Sequence, residues 1–391
     1  MPNNKILVTC AKGIAPFLKQ ELERLGFPIQ AEMTAGIAAA GTLAETMKLN
    51  LHLRTGQRVL YFLDEFHARS PDELYAKLTR LRWEDYIPAE GYLSVTSSVH
   101  TSSIKDTRFA NLKGKDAIVD RLMQKRGKRP DSGPARDRTV VFLHWKEEAC
   151  SVYLDTSGEP LAKRGYRQSA HEAPMQETLA AAAIMATNWN GATHFINPMC
   201  GSGTLAIEAA LLALNKAPGL LRSNFGFMHL NPFEAFAWNH LKKSARLAAK
   251  KNLPCKIIAT DHSEEAVRAA RENAYLAGVD QVIEFRVCDF METPMPEGGG
   301  IVMLNPEYGV RMGDTKTLEE TYGRIGDFFK QKCPGYTGYI FTGNLELAKK
   351  VGLRARRRIP FFNGEIECRL LEYELYEGSR KHASGAENEP G

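Results

Sequence analysis

Apolar and polar positions change period repeatedly along the chain, and those changes mark out its elements. Residues 5–10 read as a short apolar strand. Phe17, Leu18, Leu22 and Leu25 then recur at helical spacing, which predicts a helix over 14–25 closed by Gly26. Residues 36–41 suggest a second strand. Thr42 with Glu45 three positions on forms a capping box for a helix ending near Leu53. Alternation over 58–66 gives a third strand, so the opening segment is predicted to be β-α-β-α-β.

Ser70 before Pro71 suits a helix start, because serine caps orphan amides and proline has none to satisfy. Residues 92–98 are strand-like. Leu112, Ile118, Val119 and Leu122 give 111–126 a helical face, with lysines and arginines opposite. Residues 139–145 and 149–155 pair as a hairpin around 146–148. An Ala-rich helix over 174–185 leads into a strand at 193–196, a Gly-x-Gly turn and a helix over 205–212. Strands at 256–260, 282–287, 301–304 and 338–341 then alternate with helices at 264–277 and 316–330, before a last pair at 353–361 and 365–376. Strands alternating with helices of about a dozen residues predict βαβ units and a mostly parallel sheet, here with an antiparallel closing pair. The polar residues from 378 are predicted to be disordered.

A length of 391 residues allows two or three domains, and 43% apolar with 25% charged residues is the composition of an ordinary soluble protein. No N-terminal stretch resembles a signal peptide and no apolar run reaches membrane-spanning length, so a cytoplasmic protein without membrane association is expected. Seven scattered cysteines with no C-x-x-C pair argue against a disulfide framework or a zinc site, and no metal is expected. The net charge of +5 falls in residues 1–165, with 25 basic against 20 acidic residues. Within 105–138, eleven Lys and Arg, from Lys105 to Arg138, face five Asp. That stretch is either a solvated face or a phosphate-tracking patch. His100, His144 and His171 stand alone, and the first half offers no nucleophile with a base.

The chemistry gathers at the ends of four successive strands. The turn over 197–204 carries Gly201 and Gly203, the next two strands run into Asp261 and Asp289, and the fourth ends in Asn305-Pro306-Glu307-Tyr308. In a doubly wound sheet, ligands bind outside the carboxyl ends of the strands. Asp261 lies 58 residues beyond Gly203, too far for the dinucleotide fingerprint, and the turn has neither its third glycine nor a P-loop lysine. S-adenosylmethionine needs close backbone approach, a ribose carboxylate and an adenine acceptor, but no pyrophosphate cradle. It fits this set better than NAD. An aromatic-rich insertion over 215–238 is either local core or a lip for a flat substrate.

Several stretches together resemble the THUMP-containing RNA guanine-N2 methyltransferases. They are Gly165-Tyr166-Arg167, Ala173-Pro174 with 177–182, 197–204 with 207–210, 305–309 with Arg311, and 341–344. The likeness is greatest to the N-terminal half of bacterial members acting on large-subunit ribosomal RNA. The resemblance implies an α/β chain: a ferredoxin-like region (1–65), a THUMP RNA-binding domain (66–157) and a Rossmann-like class I methyltransferase domain (158–377), with a tail over 378–391. It also implies that Asn197, Met199, Gly201, Gly203, Thr204, Asp261 and Asp289 hold S-adenosylmethionine. Asn305, Pro306 and Tyr308 would then hold the guanine, with structured RNA as the partner, met through the THUMP domain and the basic 105–138 stretch. Two positions depart from the family pattern. Asn197 stands where Asp is usual, and keeps hydrogen bonding without the charge. Glu307 stands where a second proline stiffens the loop, and its carboxylate must stay solvated or meet a cation, Arg311 being nearest in sequence. Transfer RNA as substrate, or a ribosome-assembly role with impaired turnover, are the readings left beside 23S ribosomal RNA.

Overall fold

The computed structural model describes residues 4–101, 104, 106–167, 175–309 and 315–376. His171, Ala173, Pro174, Lys105, Arg311 and the 378–391 tail lie outside them. The chain forms two compact units, residues 1–165 with 216–249 and residues 166–215 with 250–391.

The first unit begins with β1 (Asn4–Thr9), α1 (Ala15–Arg24), β2 (Ile29–Met33), β3 (Gly36–Gly41), α2 (Thr46–His52) and β4 (Arg58–His67). It continues through α3 (Pro71–Leu78), β5 (Tyr92–His100), α4 (Thr107–Arg126), β6 (Asp131–Ser132), β7 (Thr139–Lys146) and β8 (Ala149–Asp155). Its eight strands make one sheet in the order β2-β3-β1-β4-β8-β7-β5-β6, with β5 parallel to β6 and β7. Ser70 caps α3 as the sequence predicts, accepting from the Glu73 amide at 3.2 Å. The Thr42–Glu45 box also forms, with Thr42 N–H donating to Glu45 at 2.7 Å and Glu45 N–H to Thr42 Oγ1 at 3.3 Å. It closes the turn ahead of α2, which starts later than the sequence suggests, at Thr46.

The second unit holds α5 (Glu177–Ala186), β9 (His194–Pro198) and α6 (Thr204–Ala213). The chain then contributes 216–249, including α7 (Ala235–Ala248), to the first unit. It returns through β10 (Ile257–Asp261), α8 (Glu264–Ala277), β11 (Ile283–Val287), β12 (Gly300–Leu304) and α9 (Thr315–Lys332). It ends with β13 (Tyr336–Thr342), α10 (Leu345–Lys350), β14 (Arg357–Asn363) and β15 (Ile366–Glu374). The sheet order is β11-β10-β9-β12-β13-β15-β14. The first five strands are parallel and the closing pair antiparallel, as the periodicity predicts. From β9 the chain steps outward to β10 and β11, then crosses back to β12. The topological switch therefore lies between β9 and β12, where a doubly wound sheet opens a ligand crevice. Ile196, Val302, Leu304, Phe328 and Ile340 pack in the core that fixes these strands.

The aromatic insertion falls almost wholly in residues 216–249, which cluster with the first unit. Phe225 and Phe227 stack at 5.2 Å, and both meet the Trp238 ring edge-on. Arg222 donates to the carbonyls of Ser157, Glu159 and Pro160, and the Phe227 amide donates to Thr156 O at 3.0 Å. These buried rings are core of the first unit and are not available as a substrate lip. Periodicity shows that a segment is amphipathic, and is silent on which body it packs into.

Candidate cofactor and substrate site

The turn after β9 holds three residues in the left-handed region: Met199 (φ 55°), Gly201 (φ 53°) and Gly203 (φ 83°). For methionine that conformation costs about 1–2 kcal/mol, and the Met199 side chain packs on the sheet core, which offsets the strain. The two glycines serve different ends. A Cβ on Gly201 would meet nothing within 4 Å, so its backbone borders open space. A Cβ on Gly203 would lie 2.9 Å from Ala270 Cβ, so that glycine lets α6 approach α8. Gly201 is thus the position that leaves room for a ligand. Thr204 opens α6, and its hydroxyl accepts from Arg167 Nη2 at 2.9 Å.

Asp261 ends β10 beside this turn and is nearly buried. Its Oδ2 accepts from the Gly201 amide at 2.9 Å and its Oδ1 from the Ser263 amide at 3.0 Å. A carboxylate has about four acceptor sites, so each oxygen keeps capacity for a hydroxyl. Asp289 follows β11, accepts from the Met291 amide, and receives Arg324 Nη2 on both oxygens at 2.8 Å. Burial pulls its pKa upward, but the Arg324 hydrogen bonds and the Met291 amide outweigh that and hold the carboxyl below its usual range.

Asn197 is buried on β9, and its Nδ2 donates to Met303 O of neighbouring β12 at 2.9 Å. An aspartate there would set a carboxylate against that carbonyl, so the asparagine suits its neighbour. Asn197 Oδ1 is buried without a partner among the described residues, and so is Asn305 Oδ1 past the end of β12. Orphaned buried acceptors are costly unless a ligand satisfies them. Pro306 is buried and Glu307 exposed, so the Glu307 carboxylate is solvated. Tyr308 folds back onto the sheet edge. Its hydroxyl accepts from Asn363 Nδ2 at 3.0 Å and from Cys368 Sγ at 3.7 Å, and its ring lies on Gly343, where a Cβ would sit 2.9 Å away. Burial pushes the Tyr308 pKa up to about 12, which keeps it a neutral phenol. Cys200, inside the turn, is also pushed up by burial and by the Asp261 charge, so the site presents no thiolate nucleophile.

All ten residues assigned from the sequence therefore stand at the carboxyl ends of four adjacent parallel strands or in the turns that follow them. Arg324, Asn363 and Cys368 were missed. Each acts on the site from a distant element, and no local motif announces them. Arg167 lies in one of the stretches that carry the resemblance, and no local spacing links it to Thr204, 37 positions on.

The basic stretch is less positive in space than in sequence. Arg108 pairs with Asp106, Lys113 with Asp72, Lys115 with Asp116, Arg121 with Glu84 and Lys128 with Glu90. Asp72, Glu84 and Glu90 come from outside the 105–138 window, which is why a count along the chain overstates the patch.

An open glycine turn, an acidic end on the adjacent strand and unpartnered Asn oxygens at the switch point fit a nucleoside joined to an amino acid. These features define an S-adenosylmethionine-dependent α/β methyltransferase. Comparison with known proteins agrees. The family described as "RMKL-like, methyltransferase domain" matches residues 164–372, "RlmL ferredoxin-like domain" matches 5–60, and THUMP matches 68–155. The chain belongs to this RMKL-like methyltransferase family. It is 39% identical to the Syntrophotalea carbinolica protein named ribosomal RNA large subunit methyltransferase K/L, covering 95% of this chain and 54% of that one. It is 32% identical to a Synechocystis protein provisionally named an RNA methyltransferase, covering 94% and 96%. The crystal structure of SMU.472, complexed with SAH, superposes with a TM-score of 0.86 at 27% identity over 97% of this chain and 99% of that one. The chain spans about half the length of the K/L relatives. Among the described residues, no helix is long and apolar enough to cross a membrane.

Proposed function

We propose that this protein transfers a methyl group from S-adenosylmethionine to the exocyclic N2 of a guanine in structured RNA, 23S ribosomal RNA before transfer RNA. The observation that carries the reading is the buried, unpartnered Asn305 Oδ1 at the switch point, followed by Pro306 and Tyr308. The THUMP match and the names of the relatives support RNA, and the ribosomal names favour ribosomal over transfer RNA. Its place of action is then the cytoplasm.

The bound cofactor supplies an electrophilic sulfonium methyl. Asn197, Gly201, Thr204 and Asp261 hold it: Asp261 accepts from the ribose hydroxyls, and Asn197 Oδ1 accepts from the amino-acid end. Asp289 accepts from the adenine amine with the lone pairs Arg324 leaves. A guanine amine is a weak nucleophile because its lone pair is drawn into the ring. Asn305 Oδ1 and the Pro306 carbonyl accept its two hydrogens and raise electron density on nitrogen. Tyr308 stacks on the base and aims the amine along the line of transfer. The N–C bond forms as the S–C bond breaks, and an amine proton leaves to water. Catalysis is then positioning and electrostatics.

Single-turnover transfer of labelled methyl to total RNA from a deletion strain tests this. Asn305→Ala is expected to lower turnover by about 10²–10³-fold, the scale of losing one preorganised hydrogen-bonding group, with cofactor affinity kept. Glu307→Pro should hold or raise the rate. Equal transfer by wild type and Asn305→Ala, or no transfer by wild type, overturns the assignment. In the latter case, transfer restored by Glu307→Pro would point to an assembly role. Mapping the methylated guanines separates ribosomal from transfer RNA.

A further inference from the structure

The first unit has two basic helices, and they differ in what meets their charges. On α4, Arg108, Lys113, Lys115 and Arg121 are spent on nearby carboxylates, which leaves only Lys125 and Arg126 of its last turn without one among the described residues. On α7, Lys242, Lys243 and Arg246 occur with no acidic residue among the fourteen positions. Neither Lys243 nor Arg246 has a carboxylate partner among the described residues, whereas Lys242 is half-buried and lies over the inward-facing Trp238 ring at 5.5 Å. The helix packs inward through Trp238 and Ala245. On the opposite side run Phe236, Asn239, His240, Lys243, Arg246 and Leu247, spaced as i, i+3, i+4, i+7, i+10 and i+11, all exposed. Phe236 is 87% exposed and Leu247 77%.

We propose that this face of α7 is an RNA-docking surface, with Lys243 and Arg246 on phosphates and Phe236 against an unpaired base. The inference rests on the reading of the substrate as RNA. Charge complementarity selects this occupant, since a row of uncompensated cations suits a polyanion. A protein partner would call for a contiguous apolar patch. Phe236 and Leu247 instead stand about 16 Å apart along the helix axis, with the basic groups between them. An exposed aromatic flanked by cations is how single-stranded segments are held, because every base has a face to stack. The segment is the part of the methyltransferase sequence that packs into the THUMP-bearing unit. RNA held there would be gripped by residues that a domain assignment from sequence places with catalysis.

The test is filter binding of protein-free total ribosomal RNA by the full chain across a salt series. It compares wild type, the double variant Lys243→Gln, Arg246→Gln, and Phe236→Ala. All sites are at the surface, and affinity for S-adenosylhomocysteine checks that each variant is folded. The double variant should reduce the slope of log K against log salt by about 1–2, since each phosphate contact contributes about 0.7–0.9. Phe236→Ala should weaken binding about 5- to 150-fold, the scale of one base–aromatic stack. Unchanged RNA affinity and slope in folded variants, while wild type binds RNA, overturns this inference and leaves the proposed activity standing. If the variants instead abolish self-association in sedimentation and leave RNA binding intact, α7 is a protein-docking face and the proposal fails. Absence of RNA binding by wild type sinks the RNA reading and this inference together.

Discussion

The Tyr308 hydroxyl accepts a hydrogen bond from Asn363 Nδ2 at 3.0 Å, which ties the loop after β12 to the end of edge strand β14. If that bond sets the ring angle, Tyr308→Phe and Asn363→Ala remove the same interaction. Each should lower kcat/KM by up to about tenfold, the worth of one neutral hydrogen bond. The double variant should be no worse than the poorer single, because the two losses are one. Additive losses in this cycle would show that Asn363 does not position Tyr308. Gly343→Ala should cost more, since its Cβ would press on the ring itself.

The two glycines of the turn after β9 should separate affinity from stability. Gly201→Ala places a methyl in open space at φ 53°, so it should cost about 1–2 kcal/mol of strain and hinder cofactor binding in a folded protein. Gly203→Ala should chiefly lower the melting temperature, because its methyl strikes Ala270. Ala270→Gly should then recover part of the loss. Thermal melts with and without S-adenosylhomocysteine measure both, and a Gly203→Ala protein of unchanged stability would contradict the packing role.

Asp261→Asn should weaken S-adenosylhomocysteine binding about 10- to 150-fold, corresponding to the ~1.5–3 kcal/mol of hydrogen bonds to a charged group. Asp261→Ala should be worse, because Gly201 and Ser263 also lose their acceptor and the turn loosens. Calorimetry giving wild-type affinity for the asparagine variant would remove Asp261 from the ribose site.

Acid should find a weak point in the first unit at Glu84. Hydrogen bonds from Arg121 hold its pKa at about 2 against an ordinary 4.5. A carboxyl with a depressed folded-state pKa adds stability above its unfolded value, and that stability fades as pH falls through the folded one. Between pH 4.5 and about 2, wild type should therefore lose stability that Glu84→Gln never had. Arg121→Ala should move the acid-unfolding midpoint to higher pH. Far-UV dichroism against pH reads both, and coincident curves for wild type and Arg121→Ala would end the assignment.

Much of this was written locally in the sequence. The βα turns carry their own chemistry, so the strand-end positions of Gly201, Asp261, Asp289 and Asn305 are legible in where apolar runs stop. Strand β2 escaped because most of its residues are exposed, leaving no alternation to detect. Helix α10 has six residues, too few for a period to show. The partners that finish the site were invisible for another reason. Arg324 reaches Asp289 across 35 positions and Asn363 reaches Tyr308 across 55, and no spacing rule links residues so far apart.

The chain passes between its two units three times, at residues 165–166, 215–216 and 249–250. One cut cannot part them cleanly. A fragment ending at residue 165 would lack Phe225, Phe227 and Trp238 and would bare the surface they cover. The remainder would carry those aromatics with nothing to bury them. For heredity this makes the pair a single unit of exchange. A gene rearrangement that moves the THUMP-bearing body to another enzyme must carry two separated pieces of coding sequence, or rebuild the missing wall.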